Sequence, residues 1–221
     1  MKIGVMGGTF NPFHRGHYET ALDVKKVAGL DRMIIMPSFI SPHKSGRKEI
    51  APPLHRYAMA LLGTIEGKEL EVSPLEIEEA GVSYTYKTIN ILNKLLAPED
   101  SLYYVTGVES FEKIATWKRW RSLLNSVDFV VNSREGYDTS VILLSVPKEI
   151  KSKIVFNNEM KNFVRDQSDK KHIYVIETKK ISISSSMIRR KLSSGESIRG
   201  LVHPFVEKYI ESNKLYMKEI S

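Results

Sequence analysis

The chain has 221 residues, of which 42% are hydrophobic and 27% charged, so it is long enough for one domain with a full core. Its formal net charge of +7 is spread over separate basic clusters without a nucleic-acid module, and no apolar run approaches the ~20 residues that span a bilayer. Zero cysteine residues exclude disulfides and thiol catalysis and fit a cytoplasmic location. We therefore expect neither nucleic acid nor a membrane as a partner.

Apolar strand-like runs alternate with helix-like stretches along the chain. We expect strands at residues 3–6, 33–36, 70–72, 102–106, 129–131 and 173–176, and helices at 18–28, 54–65, 85–96, 110–124, 185–192 and 203–212. Because strands separated by helices need crossover connections, the pattern predicts an α/β fold, a Rossmann-like doubly wound parallel sheet flanked by helices. We expect a single domain over residues 1–221, with 137–171 as a surface insertion and 184–212 as a C-terminal helical part.

The stretch from Gly7 to His17 reads Gly-Gly-Thr-Phe-Asn-Pro-Phe-His-Arg-Gly-His and lies between the first predicted strand and the first predicted helix. A helix N-terminus carries amide donors and a partial positive charge, glycines let an anion approach the backbone, and imidazoles add donors. The order of strand, glycine turn, two histidines and helix therefore indicates a site that holds nucleotide phosphates while one phosphorus is attacked. The structural alternative is a glycine turn with two surface histidines.

This motif differs from the common phosphate and metal motifs. It is not a Walker A loop, because no Gly-Lys-Ser/Thr closes it, and it is not the Gly-x-Gly-x-x-Gly fingerprint of dinucleotide-binding proteins. His14 and His17 could ligate zinc only if further ligands came from elsewhere in the chain. We expect no metal site built from side chains.

A second polar cluster, Ser184-Ser185-Ser186 followed by Arg189, opens the predicted helix at 185–192. One of these serines is explained as a helix N-cap. Three in a row with an arginine one turn later also fit a clamp for the β- and γ-phosphates of a nucleotide, formed by the helix start, the hydroxyls and the guanidinium. Arg56 is expected to have a structural partner rather than a substrate.

The two motifs together carry a family resemblance. Gly8-Thr9-Phe10-Asn11-Pro12 followed by His14-x-Gly16-His17 resembles the signature of the H-x-G-H nucleotidyltransferases. The segment from Ile183 to Arg189 is similar to the Ile-Ser-Ser-Thr-x-x-Arg element of the small adenylyltransferases. Both ends, and most of the chain, resemble the nicotinate-nucleotide adenylyltransferases. The resemblance implies transfer of the adenylyl group of ATP to nicotinate mononucleotide, giving nicotinate adenine dinucleotide and pyrophosphate, with Mg²⁺ entering with ATP.

The same resemblance implies roles for individual residues. The catalytic residues are His14, His17 and Arg189, with His17 at the α-phosphate and His14 at the phosphates as the reaction proceeds. The residues that contact ATP are Gly7, Gly8, Thr9, Phe10, Gly16, His17, Gly107, Glu109, Ile183, Ser184, Ser185, Ser186 and Arg189. The residues that contact the mononucleotide are Asn11, His43, Lys44, Ser83, Tyr84, Thr85 and Trp117, among which Trp117 stacks on the pyridine ring.

The sequence departs from the family pattern at two positions. Lys87 stands where the family has Asp, two residues after the threonine of its Ser-Tyr-Thr segment, and Glu109 stands where the family has Asp in Gly-x-Asp. Adenylyl transfer to nicotinamide mononucleotide or to phosphopantetheine is the alternative within the same chemistry. A nucleotide-binding regulatory domain without catalysis is the alternative from another class. A homo-oligomer is compatible with the sequence, which does not determine the number of copies.

Overall fold

The structure is a computed structural model that describes residues 1–42, 46, 49–156, 170–179 and 181–217. Helices and strands alternate through the described residues, with two additional 3-10 helices at Ile114–Thr116 and Lys148–Lys153. In chain order the helices and strands are β1 Lys2–Gly8, α1 Arg15–Val27, β2 Arg32–Pro37, α2 Pro53–Thr64, β3 Leu70–Val72, α3 Leu75–Glu79, α4 Thr85–Leu95, β4 Ser101–Gly107, α5 Val108–Phe111, α6 Trp120–Ser126, β5 Asp128–Arg134, α7 Ser140–Ser145, β6 Ile154–Phe156, β7 Ile173–Thr178, α8 Ser185–Ser193 and α9 Pro204–Ser212.

The strands of the described residues form one seven-stranded sheet in the order β3-β2-β1-β4-β5-β7-β6. The pairs β1–β4, β4–β5, β5–β7 and β6–β7 all run parallel, and β1 pairs with β4 from Lys2 opposite Ser101 to Met6 opposite Val105. The strand order reverses between β1 and β4, which is the arrangement of a doubly wound sheet. The predicted α/β fold is therefore confirmed. Ligands of such sheets bind beyond the carboxyl ends of the strands at the reversal.

The described chain divides into two compact units. The first comprises Met1–Gly7, Leu22–Ile34 and Tyr84–Lys180. Its core is apolar on both faces of the central strands, and Tyr103 of β4 and Phe129 of β5 are at most 1% exposed. At the start of β5 the buried carboxylate of Asp128 accepts a hydrogen bond from the backbone N–H of His172 at 2.8 Å, which links the entries of β5 and β7.

The second unit comprises Gly8–Ala21, Ile35–Ser83 and Ile181–Ser221. Its helices α2, α8 and α9 surround one apolar cluster, whose buried members are Ala51, Met59, Ile188, Ile198, Val202, Val206 and Ile210. The backbone N–H of Arg15 donates to the carbonyl of Leu201 at 3.0 Å, so the first residue of α1 is fixed against the segment that precedes α9. This unit contains both motifs singled out by the sequence.

Two regions differ in detail from the expected elements. The helix expected at 110–124 is divided into α5, a 3-10 turn and α6. Arg119, directly before α6, adopts a left-handed conformation with φ of 55°, which starts α6 as a separate helix. Residues 140–156, part of the expected surface insertion, form α7, a 3-10 helix and β6, and bury Ile142 and Ile150. The rest of that segment, from 157 to 169, lies outside the described residues. The domain and insertion boundaries stay predictions.

No helix in the part of the chain that the structure describes is both long and apolar enough to cross a bilayer.

Candidate functional site

The glycine turn begins where β1 ends, and it is shaped by a phenylalanine. Phe10 is 4% exposed and has a φ of 47°, a left-handed conformation that is unusual for a residue with a side chain. A Cβ on Gly8 would lie 2.7 Å from the ring of Phe10. The glycine at this position therefore leaves room for the ring of Phe10.

The side chain of Arg56, in α2, makes a hydrogen bond to the backbone of this turn. Its side chain is 1% exposed, and its three nitrogen groups donate to three separate carbonyls: Nη1 to Thr9 at 2.8 Å, Nη2 to Phe39 at 2.7 Å and Nε to Ala51 at 2.9 Å. Burial lowers the pKa of Arg56 to about 10, so the guanidinium stays charged at neutral pH. The prediction that Arg56 has structural partners is confirmed, and its charge lies directly behind the turn.

His14 and His17 form a stacked pair at the start of α1. Their ring centroids are 3.6 Å apart and the rings are inclined by 20°. The backbone N–H of each residue donates to Nδ1 of the other, both at 3.3 Å. Because both Nδ1 atoms accept hydrogen bonds, the neutral rings carry their protons on Nε2. The pair therefore presents two Nε2–H donors.

The surroundings of His14 favour the uncharged form of its imidazole. His14 is 5% exposed, and its burial lowers the pKa to about 4, so the ring is neutral at pH 7. The ring of Phe10 packs edge-on against the ring of His17, with centroids 5.0 Å apart. The ring centroid of Phe13 lies 5.5 Å from that of His17. A neutral imidazole with its proton on Nε2 can donate a hydrogen bond to an anion without first gaining a second proton.

Gly16 has a packing role inside the motif. A Cβ at this position would lie 3.0 Å from both Cε1 and Nδ1 of His14 and 3.4 Å from Cβ of Ile183. The absence of a side chain therefore lets the ring of His14 lie flat against the first turn of α1. Glycine at position 16 is therefore explained by the packing of the His14 ring. The predicted contact of Gly16 with ATP stays a prediction.

The side-chain amide of Asn11 makes hydrogen bonds to other residues of the protein. Its Nδ2 donates to the carbonyl of Glu49 at 3.0 Å, and its Oδ1 accepts from the backbone N–H of Ala51 at 3.0 Å and from the hydroxyl of Tyr216 at 2.7 Å. The residue is 4% exposed. These bonds use most of the amide, so they support a positioning role for Asn11; the predicted contact with the mononucleotide stays a prediction.

The second motif is bonded directly to the first. Ser185 donates from Oγ to the carbonyl of Pro12 at 3.0 Å, and Arg189 donates from Nη1 to the carbonyl of Asn11 at 2.9 Å. Ser184 is the N-cap of α8, and its Oγ accepts from the backbone N–H of Met187 at 3.2 Å. The two motifs expected to act together are thus adjacent. The hydroxyls of Ser184 and Ser185 both make hydrogen bonds within the protein.

This arrangement suits an anion with several oxygen atoms. The N-termini of α1 and α8 both lie next to the loop of Asn11 and Pro12, and a helix N-terminus favours negative charge. The two Nε2–H groups and the guanidinium of Arg189 add directional donors. Such a set can position a polyphosphate and stabilise charge on it.

Other predicted site residues belong to the first unit. Gly107 ends β4, and Glu109 in α5 forms an ion pair of 3.5 Å with Arg134, the last residue of β5. Both of these charged side chains are 59% exposed, so the pair contributes little to stability. Arg134 was not singled out in the sequence; it lies at the carboxyl end of β5.

Two aromatic residues of the first unit that were predicted to contact the mononucleotide, Trp117 and Tyr84, are partly exposed. Trp117 packs edge-on against Tyr104 with ring centroids 6.0 Å apart and is half-buried. Tyr84 caps α4, which starts at Thr85, and Nζ of Lys118 lies 4.5 Å from the centre of the Tyr84 ring. These residues keep the partial exposure that a contact with a ligand requires.

Ser83 belongs to the second unit, and its Oγ accepts from the backbone N–H of Phe39 at 2.9 Å. His43 and Lys44, both predicted to contact the mononucleotide, lie outside the described residues. Within the described ranges, no group of three or more His, Asp or Glu side chains is placed to hold a metal ion.

Known proteins resemble this chain over almost its whole length. The family described as cytidylyltransferase-like matches residues 5–191. A protein of Thermoanaerobacter sp. (strain X514), named "Probable nicotinate-nucleotide adenylyltransferase", is 34% identical over 99% of this chain and 96% of its own length. A protein of the same name from Pelobacter propionicus is 33% identical over 98% of both chains.

Solved structures share the fold. The nicotinic acid mononucleotide adenylyltransferase of Plasmodium falciparum complexed with NaAD superposes with a TM-score of 0.71 at 19% identity and covers 97% of both chains. The same enzyme complexed with APC gives a TM-score of 0.65, with 97% of this chain and 96% of that chain covered.

Proposed function

The chain belongs to the nicotinate-nucleotide adenylyltransferases of the cytidylyltransferase-like family, and on that premise we propose that it transfers the adenylyl group of ATP to nicotinate mononucleotide. The products are nicotinate adenine dinucleotide and pyrophosphate, a step of NAD biosynthesis. The observation that carries the proposal is the stacked pair of His14 and His17, bonded through its loop to the helix start of Ser185 and Arg189.

The reaction needs positioning rather than a reactive side chain. A phosphate oxygen of the mononucleotide attacks the α-phosphorus of ATP, a new P–O bond forms, and the bond to the β-phosphate oxygen breaks to release pyrophosphate. The attacking phosphate is already ionised at neutral pH, so no general base is required. Catalysis then rests on in-line geometry and on stabilising charge at the transferring phosphorus and the leaving group.

We assign the donors as follows. The Nε2–H of His17 meets the α-phosphate, the Nε2–H of His14 meets the phosphates as charge develops, and Arg189 with the first amides of α8 meets the β- and γ-phosphates. The backbone of the glycine turn, from Gly7 to Phe10, lines the phosphates. Mg²⁺ enters with ATP as substrate and is held through phosphate oxygens and water, the ligands that this ion prefers.

The mononucleotide is assigned to the remaining residues. We propose that Trp117 stacks on the pyridine ring, that the segment from Ser83 to Thr85 meets the nicotinate carboxylate, and that His43 and Lys44 meet its phosphate. Gly107 and Glu109, by contrast, are assigned to the ribose of ATP. A cytoplasmic location, the lack of nucleic-acid and membrane partners, and association into a homo-oligomer stay predictions.

The test is pyrophosphate release from Mg-ATP and nicotinate mononucleotide, with the amide mononucleotide and phosphopantetheine as competing substrates. We expect His17→Ala to lower kcat by about a hundredfold, the usual loss when a preorganised charge-stabilising donor is removed. His172→Ala is the control, since His172 lies at the entry of β7 beside Asp128. Near-normal turnover by His17→Ala refutes the role of the pair, and a higher kcat/KM for another acceptor refutes the substrate.

A further inference from the structure

The chain turns sharply after α9 and returns to the loop of residues 9–14, which joins β1 to α1 and is called here the H-x-G-H loop. The N–H of Leu215 donates to the carbonyl of Ile210 at 3.0 Å and the N–H of Lys214 to that of Glu211 at 3.1 Å, while Lys214 has a φ of 51°. This pair of bonds with a left-handed residue is the Schellman ending of a helix. It fixes the direction of the residues that follow, of which Tyr216 is the second.

Tyr216 reaches the loop through its hydroxyl. The ring packs against the apolar cluster of the second unit, and the hydroxyl donates to Oδ1 of Asn11 at 2.7 Å. Burial raises the pKa of Tyr216, against the smaller opposing effect of Arg189 and Arg56 nearby. The phenol therefore stays protonated, and remains a hydrogen-bond donor, over the whole range in which an enzyme is assayed.

Asn11 connects Tyr216 to the proposed catalytic groups. Its carbonyl accepts the bond from Arg189, and the next carbonyl along the chain, that of Pro12, accepts the bond from Ser185. His14 follows three residues after Asn11. A change in the position of the Asn11 side chain therefore moves the backbone of the loop, and this backbone orients both Arg189 and the histidine pair.

We propose that Tyr216 is a positioning residue for adenylyl transfer, which acts through Asn11 to hold the H-x-G-H loop and Arg189 in register. The proposal rests on the proposed function. Tyr216 touches no reacting atom; its hydroxyl is the third protein contact of a buried amide whose main chain carries the site. Because the loop and α8 are held by several other bonds, loss of this one loosens the site without dismantling the fold.

The test compares two tyrosines that pack against the same apolar cluster. Tyr216→Phe removes the hydroxyl bonded to Asn11, and Tyr209→Phe removes a hydroxyl bonded to Nδ1 of His55 at 2.9 Å. We expect Tyr216→Phe to lower kcat roughly fivefold to tenfold, with KM for ATP within about twofold, as for a loss felt mainly in the transition state. Tyr209→Phe is expected to keep kcat within about twofold at a similar unfolding temperature.

A double-mutant cycle identifies the route. If Tyr216 acts through Asn11, Tyr216→Phe has no further effect on kcat in an Asn11→Ala background. A full additional effect in that background overturns the proposal, as do equal losses in the two tyrosine variants or no loss in Tyr216→Phe. If Asn11→Ala does not fold, the comparison of the two tyrosine variants decides alone.

A measurement without substrate separates this proposal from the proposed function. We expect the ring signals of His14 and His17 in NMR spectra to shift in Tyr216→Phe and to stay in place in Tyr209→Phe. If the wild-type protein releases no pyrophosphate, the proposed function fails and these spectra alone decide the positioning role. Unshifted histidine signals in Tyr216→Phe then overturn it.

Discussion

Acidification should destabilise the protein through one histidine. The pKa of His14 is about 4 in the folded chain against 6.5 in an exposed reference, because burial penalises the charged ring. Between these two values the unfolded chain binds a proton that the folded chain does not, so stability rises with pH. The contribution of neutral His14 is complete above pH about 6.5 and is lost as the pH falls towards 4.

The size of the effect follows from the shift. At about 1.36 kcal/mol per pKa unit, the fall of the pKa from 6.5 to about 4 corresponds to a loss of about 3 kcal/mol by pH 4. Since folded domains are stable by about 5–15 kcal/mol, this is a large fraction of the total. The side chain is only 5% exposed, so solvent screens the effect little.

The assay is urea unfolding at a series of pH values between 4 and 7, for the wild type and for His14→Gln. Carboxylates that titrate in this range contribute to both proteins and cancel in the difference. We expect the wild type to lose about 3 kcal/mol more than the variant between pH 7 and pH 4. NMR titration of the His14 ring provides a direct measure of its pKa.

A difference below about 1 kcal/mol, or an imidazole midpoint near 6.5, would refute the reasoning. It would mean that water reaches the ring of His14 and that the stacked pair is open in solution. If His14→Gln does not fold, the titration of the wild-type ring decides the matter.

Two further predictions concern the packing of the site. Gly16→Ala should lower kcat about tenfold at a nearly unchanged unfolding temperature, because its Cβ would press on the ring of His14 at 3.0 Å; steady-state kinetics check this, and unchanged kcat contradicts it. Arg56→Lys should cost about 3 kcal/mol in urea unfolding, because one ammonium cannot replace three donors to separate carbonyls, whereas the exposed control Arg121→Lys should cost less than about 1 kcal/mol. A cost below about 1 kcal/mol for Arg56→Lys would contradict the second prediction.

The regular elements were predictable where the local pattern is strong. The strand of residues 70–72 and the helix start at Thr85 lie where the sequence predicts them, because apolar periodicity and flanking prolines mark such elements. Two local features carry no such signal. Arg119 adopts a left-handed conformation without being glycine, and α3 is too short to show a period.

For the candidate site, the sequence predicted the motifs but not the contacts between them. The sequence brought the H-x-G-H and serine-arginine segments together through their chemistry. It could not show that Ser185 bonds the carbonyl of Pro12, or that Gly16 makes room for His14, because both depend on packing between distant segments. Asn11 was assigned to substrate for the same reason, since its partner Tyr216 lies far along the chain.

The bond between Asn11 and Tyr216 joins residues 205 positions apart. A nascent chain therefore makes Asn11 early, but the bond that supports its side chain from Tyr216 forms only after Tyr216 has been synthesised. Contacts of such long range are slow to form, because a large loop must close first. The side chain of Asn11 should consequently reach its final set of hydrogen bonds only after all seven strands of the described sheet have been synthesised.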